Sequence, residues 1–186
     1  MDACPSVSMD VGGIGHGQGH FKLMQSELQK LICTNLTLTA SGAANISIYN
    51  VTEHDTLRLK GTVHFSAGHH IKHEESNTFK NILAVSPWVI VASDVVVDVH
   101  EGSMDYLSEF YHVASGVHFT SKFGDIRFRT SSYKFSDKDL FLGKNQLLLN
   151  APSTWKAANS ILLEPRTDIY GSGSVQFYSD YDNNGK

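Results

Sequence analysis

The feature that most restricts what this chain can fold into is a period-two apolar pattern cut into very short runs. Alternating apolar positions occur at Leu36/Leu38, Ile46/Ile48, Leu57/Leu59, Val63/Phe65, Val95/Val97/Val99, Val117/Phe119, Ile126/Phe128, Leu147/Leu149, Ile161/Leu163 and Val175/Phe177. Each reads as a strand with one buried face, because successive side chains of an extended chain point to opposite sides. Small and polar clusters separate the runs, as at Ala40–Asn45, Ala67–His70, Ala114–Gly116 and Ala151–Thr154. Successive strand starts are often 9 to 11 residues apart, as from 36 to 46 to 57 and from 117 to 126.

A loose internal repeat accompanies this pattern. The segments LTLTASGAANISI (36–48), VHFSAGHHI (63–71), VIVASDVVV (89–97) and LLLNAPSTWKAANSILL (147–163) share one plan. An apolar-x-apolar strand reaches Ala, a turn of small and polar residues follows, and a second apolar strand returns. One such unit cannot bury its apolar face alone, so units must stack. The pattern predicts an all-β chain folded as a right-handed parallel β-helix. An antiparallel β-sandwich is the alternative, since many short strands at this spacing suit it too. Against the sandwich, the one Asn-Gly pair is Asn184-Gly185, and no Asn-Gly or Asp-Gly hairpin turn lies between strands.

Residues 1–31 read as a Gly-rich lead-in with a short capping element, and residues 32–186 as solenoid coils that continue beyond the C-terminus. Leu23, Leu28 and Leu31 are spaced for one or two helical turns within Phe21–Leu31. The stretches Asp105–Tyr111 and Tyr133–Leu142 fit no repeat and are expected as projecting loops.

Composition narrows the function classes. Charged residues are 18% of the chain and apolar ones 41%, unlike a disordered tail. The formal charge of −4 argues against a nucleic-acid surface. The longest apolar candidate, Ile82–Val99, is broken by Ser86-Pro87 and Ser93-Asp94, so no membrane span is expected. Cys4 and Cys33 match no metal or redox spacing and are expected as unpaired thiols. The N-terminus has neither the basic nor the apolar region of a signal peptide. The chain either stays inside the cell or is an internal piece of a longer secreted protein, and its close in Tyr181–Lys186, in an apparent turn, favours the second.

The Gly-rich opening, Phe21–Gln29 with Glu27-Leu28, Leu36–Gly42 and Ala44–Ile48 together resemble a segment of filamentous-haemagglutinin-type secreted proteins. Leu57–Gly61, Ile161–Pro165 and Gly171–Phe177 followed by Asp180–Gly185 extend the likeness from about residue 12 to the end. Those proteins repeat a Leu-x-x-x-Glu-Leu element and a Leu-x-Leu-x-Ala-x-Gly-x-Ile-x-Ile coil, and are usually richer in Gly, Asn and Thr. The resemblance implies a rod-like, non-enzymatic adhesive or structural segment, extracellular or at the cell surface. It also implies further coils of the same parent chain and a host-surface or glycan partner.

Candidate sites are few. His69, His70 and His73, followed by Glu74 and Glu75, gather imidazole and carboxylate suited to zinc, copper or iron. The group is similar to a cupin motif in residue type, but its spacing differs and no second motif accompanies it. His64 and His118 alternate with apolar neighbours and should face solvent. His16 and His20 are four apart, a ligand spacing on a helix, but glycines surround them. Asp180, Asp182 and Asn184 before Gly185 reproduce the start of a calcium loop, making calcium the one cofactor the sequence suggests. Asn35, Asn45 and Asn50 head glycosylation sequons. Asp94, Asp98, Glu101 and Asp105 could be read as paired carboxylates of a polysaccharide-cleaving β-helix, but charges usually mark a solvated side. The rival to the structural reading is a polysaccharide-binding or polysaccharide-cleaving protein with Trp88, Trp155 and Tyr133 stacked on sugar rings. The expectation is no catalytic centre.

Overall fold

The structure, a computed structural model, describes residues 7–13, 21–114 and 116–129, together with five strands between 145 and 178. It is an all-β parallel solenoid. The chain opens with β1 (Met9–Gly12), β2 (Phe21–Leu23) and a single helical turn, α1 (Gln25–Leu28). A first coil holds β3 (Leu36–Ala40) and β4 (Ile46–Tyr49), with a 3₁₀ turn at Glu53–Thr56 after them. The next coil has three strands, β5 (Thr62–Ala67), β6 (His70–His73) and β7 (Asn77–Phe79). The same three-strand plan follows in β8 (Asn81–Val85), β9 (Trp88–Val91) and β10 (Val96–Val99), then in β11 (Met104–Leu107), β12 (Phe110–Val113) and β13 (His118–Ser121). It recurs in β14 (Ile126–Arg129), β15 (Asn145–Leu149) and β16 (Ser153–Ala157), and in β17 (Ile161–Leu163), β18 (Thr167–Tyr170) and β19 (Val175–Tyr178).

Three sheets run along the rod. The first is β3-β5-β8-β11-β14-β17, the second β2-β1-β4-β6-β9-β12-β15-β18, and the third β7-β10-β13-β16-β19. Every pairing among the described residues is parallel, as between β5 and β8 or β10 and β13, which sets the antiparallel sandwich aside. Asp105–Tyr111, expected as a projecting loop, instead supplies most of β11 and the start of β12, because Met104, Tyr106 and Tyr111 all turn inward. Tyr133–Leu142 lies outside the described residues.

The expected helical stretch is also divided. Phe21–Leu23 joins β1 as a strand, and only Gln25–Leu28 is helical. The Glu27 carboxylate accepts from the Met24 amide at 2.9 Å, satisfying a donor at the start of the turn. Leu28 is buried, and Gln29 donates to Asp55 at 2.7 Å, so α1 sits against the 3₁₀ turn of the first coil. Within the lead-in segment, β1 is already a strand of the second sheet, in register with β4 from Met9 opposite Ile46.

Register keeps like positions aligned from coil to coil. Val63, Ile82, Met104 and Ile126 form one inward ladder, and Phe65, Ala84, Tyr106 and Phe128 another. The second sheet contributes Ile46, Ile71, Val89 and Tyr111, and the third Val97, Phe119 and Trp155. Burying each large apolar side chain contributes about 1.5–3 kcal/mol. Large rings dominate the later coils, where Tyr106 and Phe128 stack at 5.2 Å and Phe128 and Trp155 at 4.5 Å, while Phe119 meets Phe128 edge-on at 5.5 Å.

The corners need small residues for a reason visible at two places. Before the first sheet, Asn35 Oδ1 accepts from the Thr62 amide at 2.9 Å, Asn81 Oδ1 from the Ser103 amide at 3.0 Å, and Ser103 Oγ from the Asp125 amide at 3.1 Å. Gly61, Gly102 and Gly124 precede these amides, and a Cβ on Gly102 would lie 1.6 Å from Asn81 Oδ1. At the next corner a Cβ on Gly68 would lie 1.8 Å from the carbonyl oxygen of Gly42, whose own φ is +68°. That obstacle is backbone and cannot rotate away. Gly68→Ala should therefore lower stability by about 1–3 kcal/mol, the range for overpacking a close-packed interior, as read by chemical denaturation. Unchanged stability would show that the two corners are not stacked this tightly.

Candidate functional site at the histidine corner

The histidine-rich corner between β5 and β6 is held from both sides. The Gly68 amide donates to Ala40 at 2.8 Å and the His69 amide to Ala44 at 3.1 Å, both in the preceding coil. The Trp88 amide of the following coil donates to the His69 carbonyl at 3.2 Å. The backbone that carries His69 and His70 is therefore part of the coil stack.

Of the three predicted metal-ligating histidines, this corner brings together two. His69 Nδ1 lies 2.9 Å from Asn45 Oδ1 and 3.0 Å from His70 Nδ1. The amide oxygen only accepts, so a proton on His69 Nδ1 serves Asn45 and leaves His70 Nδ1 as an acceptor. Partial burial, then the nearby His69 and Lys72, push the His70 pKa below its usual value. Lys72 is itself engaged by Glu74 at 2.8 Å.

His73 goes the other way. It is two residues from inward-facing Ile71, so strand alternation carries it into the core, where it is 0% exposed. The three-histidine cluster read from the sequence is thus split between the outside and the inside of the rod. Among the described residues no group of three or more His, Cys, Asp or Glu side chains is gathered as metal ligands are.

Inside, His73 belongs to a chain of polar groups. Asn77 Oδ1 accepts from the Val51 amide at 2.9 Å, and its amide nitrogen donates to the Glu75 carbonyl at 2.5 Å and to His73 Nδ1 at 3.3 Å. These partners fix which end of the Asn77 amide is oxygen, so His73 Nδ1 accepts and the ring proton sits on Nε2. That proton is directed to the Tyr106 hydroxyl, 3.0 Å away. Tyr106 reaches back two coils to make this contact, past the level of Ala84, the small rung of its own ladder. The Tyr111 hydroxyl in turn donates to the Tyr106 carbonyl at 3.0 Å. Desolvation lowers the His73 pKa to about 3 and raises that of Tyr106, so both stay neutral.

The other predicted residues are dispersed. His118 is exposed, whereas His64, on the outward face of β5, is half-buried with its Nε2 covered. Asp98 meets Lys122 at 3.6 Å, Glu101 meets Lys80 at 3.0 Å, and Asp105 takes both nitrogens of an Arg129 fork at 2.8 and 2.7 Å. These three carboxylates are directed to three different cations, each one coil away, and Asp94 sits in a turn with φ +59°. Asn35 and Asn50 are exposed, and Asn45 is half-buried against His69. Asp180, Asp182 and Asn184, with His16, His20, Cys4 and Tyr133, lie outside the described residues; Cys33 is a free thiol.

Trp155, a sugar-stacking residue in the rival reading, is instead 0% exposed, because β16 continues the third sheet with Trp155 in register with inward-facing Phe119. Trp88 is 42% exposed and stacks on Phe110 of the next coil at 4.5 Å with planes 24° apart. No helix among the described residues is long and apolar enough to cross a membrane. Comparison with protein families, with curated proteins and with solved structures finds no match to the chain.

The buried histidine makes a pH prediction. Between pH 6.5 and about 3 the unfolded chain binds a proton at His73 that the folded chain refuses, so stability falls as the pH drops through this window. The slope from this group is at most about 1.4 kcal/mol per pH unit. Urea titrations between pH 7 and 4 should show His73→Leu losing less stability on acidification than the parent, whatever its stability at pH 7. Equal slopes would mean that His73 is protonated in the folded rod. Asn77→Ala, which strands the Val51 amide and the Glu75 carbonyl, should cost about 1–3 kcal/mol at neutral pH in the same experiment.

Proposed function

We propose that this chain is a non-enzymatic structural and adhesive segment of a larger secreted or cell-surface protein of the filamentous-haemagglutinin kind. The observation that supports this reading most is how the polar side chains are used. The carboxylates of Asp98 and Asp105 pair with Lys122 and Arg129 of the following coil, tying one turn of the rod to the next. Asn35, Asn81 and Ser103 accept backbone amides of the coil above. Groups that could serve catalysis are thereby engaged in holding coils together. A solenoid of this kind offers a long, repetitive outer face on which a partner is held by many weak contacts.

Polysaccharide binding is the second reading, favoured by the exposed Trp88. Its geometry limits that reading, because Trp88 and Phe110 lie face to face across the coil step and cover each other's rings. A sugar could then stack only on a ring face turned away from the pair, which halves the aromatic surface on offer.

Incubation of the chain with acidic polysaccharides should release no new reducing ends, and a glycan array should show either no binding or binding that survives Trp88→Ala within about threefold. Reproducible cleavage would overturn the non-enzymatic reading. Loss of array binding in a folded Trp88→Ala protein would favour the polysaccharide-binding one.

A further inference from the structure

The geometry points to a transition-metal site at the β5–β6 corner, formed by His69 Nδ1 and His70 Nδ1 with Asn45 Oδ1 beside them, and best suited to Cu²⁺. Two ring nitrogens on neighbouring residues stand 3.0 Å apart, and the amide oxygen lies 2.9 Å from the first. Donors bound about 2.0–2.1 Å from one tetrahedral or square-planar ion are themselves about 2.9–3.4 Å apart. The corner therefore already holds its two nitrogens at chelating distance. Little side-chain rearrangement separates the hydrogen-bonded pair from a bound pair, so little ordering entropy opposes metal binding.

Charge and protonation favour the same conclusion. A ligating imidazole must be neutral at the bound nitrogen. The hydrogen-bond pattern leaves His70 Nδ1 as an acceptor, with a lone pair turned toward the corner. On His69 the Nδ1 proton moves to Nε2 as the ion takes its place, a tautomer change with no net release of a proton from the neutral ring. The neighbouring cation Lys72 is already countered by Glu74 at 2.8 Å.

The donor set selects the metal. Imidazole nitrogen suits copper, nickel and zinc, and affinity among divalent ions peaks at Cu²⁺. Two nitrogens and one amide oxygen leave positions for water or for a side chain of a partner. This makes an open, exchangeable site. It differs from the cluster suggested by linear spacing, because His73 is inside the rod and takes no part.

Titration of the full chain with CuCl₂, followed by calorimetry and by electron paramagnetic resonance, tests the site. The site predicts a Cu²⁺ signal with nitrogen couplings, and a weaker response to ZnCl₂. His69→Ala and His70→Ala should each weaken this binding tenfold or more, and Asn45→Ala a few-fold. His118→Ala, and the double variant His16→Ala/His20→Ala, should leave the signal in place. His70→Gln keeps a polar side chain at the corner and gives the same answer if the alanine variant fails to fold. Binding that is unchanged without His70, or lost only when His16 and His20 are removed, would overturn the assignment. So would a spectrum lacking nitrogen couplings.

Discussion

The parallel, in-register hydrogen bonding between successive coils is the constraint on which everything else in this rod depends. It sets each residue directly beneath its counterpart one coil on, about 4.8 Å away. A side chain in such a stack is chosen less for its own propensity than for its rung neighbours. Tyr106 and Phe128 can lie face to face in the core because register places them on successive rungs of one ladder. The same spacing lets Trp88 and Phe110 stack on the outside and lets Arg129 close on Asp105. Glycine is required where stacking brings two backbones together, as at Gly68 above Gly42.

Within this regular scheme the interior tolerates one irregular feature. The ladder Ile48, His73, Val91, Val113 contains a histidine where its neighbours are aliphatic. An imidazole there is desolvated and gains nothing from water, so it is stable only neutral and with both nitrogens engaged. Asn77 and Tyr106 supply those partners from two other sheets. The first coil turns through a 3₁₀ element instead of a third strand, and its Val51 amide is satisfied by Asn77. One buried asparagine thus joins the irregular first coil to the regular ones.

Much of the architecture was legible in the residues. Alternation correctly places Phe65, Phe119 and Phe128 inside and His118 outside, because only extended backbone with one dry face produces period two. It also contained the answer for His73 and Trp155, by parity with Ile71 and with Thr154 and Lys156. Linear spacing groups His73 with His69 and His70, and residue type groups Trp155 with Trp88, whereas strand parity places His73 and Trp155 inside. Less visible was the Gly-polar pair that opens coils at Gly61-Thr62, Gly102-Ser103 and Gly124-Asp125, since apolar periodicity does not register it. Asp105–Tyr111 fits no repeat in the residues, yet Tyr106 and Tyr111 fill inward positions because their hydroxyls find partners in His73 and in a backbone carbonyl.

The sequence by itself determined strand, corner and face: short alternating runs with small-residue corners can bury their apolar sides only by stacking. Tertiary structure decided which distant residues meet. Nothing in the local pattern says that His73 reaches Tyr106, 33 positions later, or that His69 faces Asn45 from the coil before. Those meetings depend on the lengths of whole coils and on the register between them. A one-residue change in either would turn the same side chains to the opposite face.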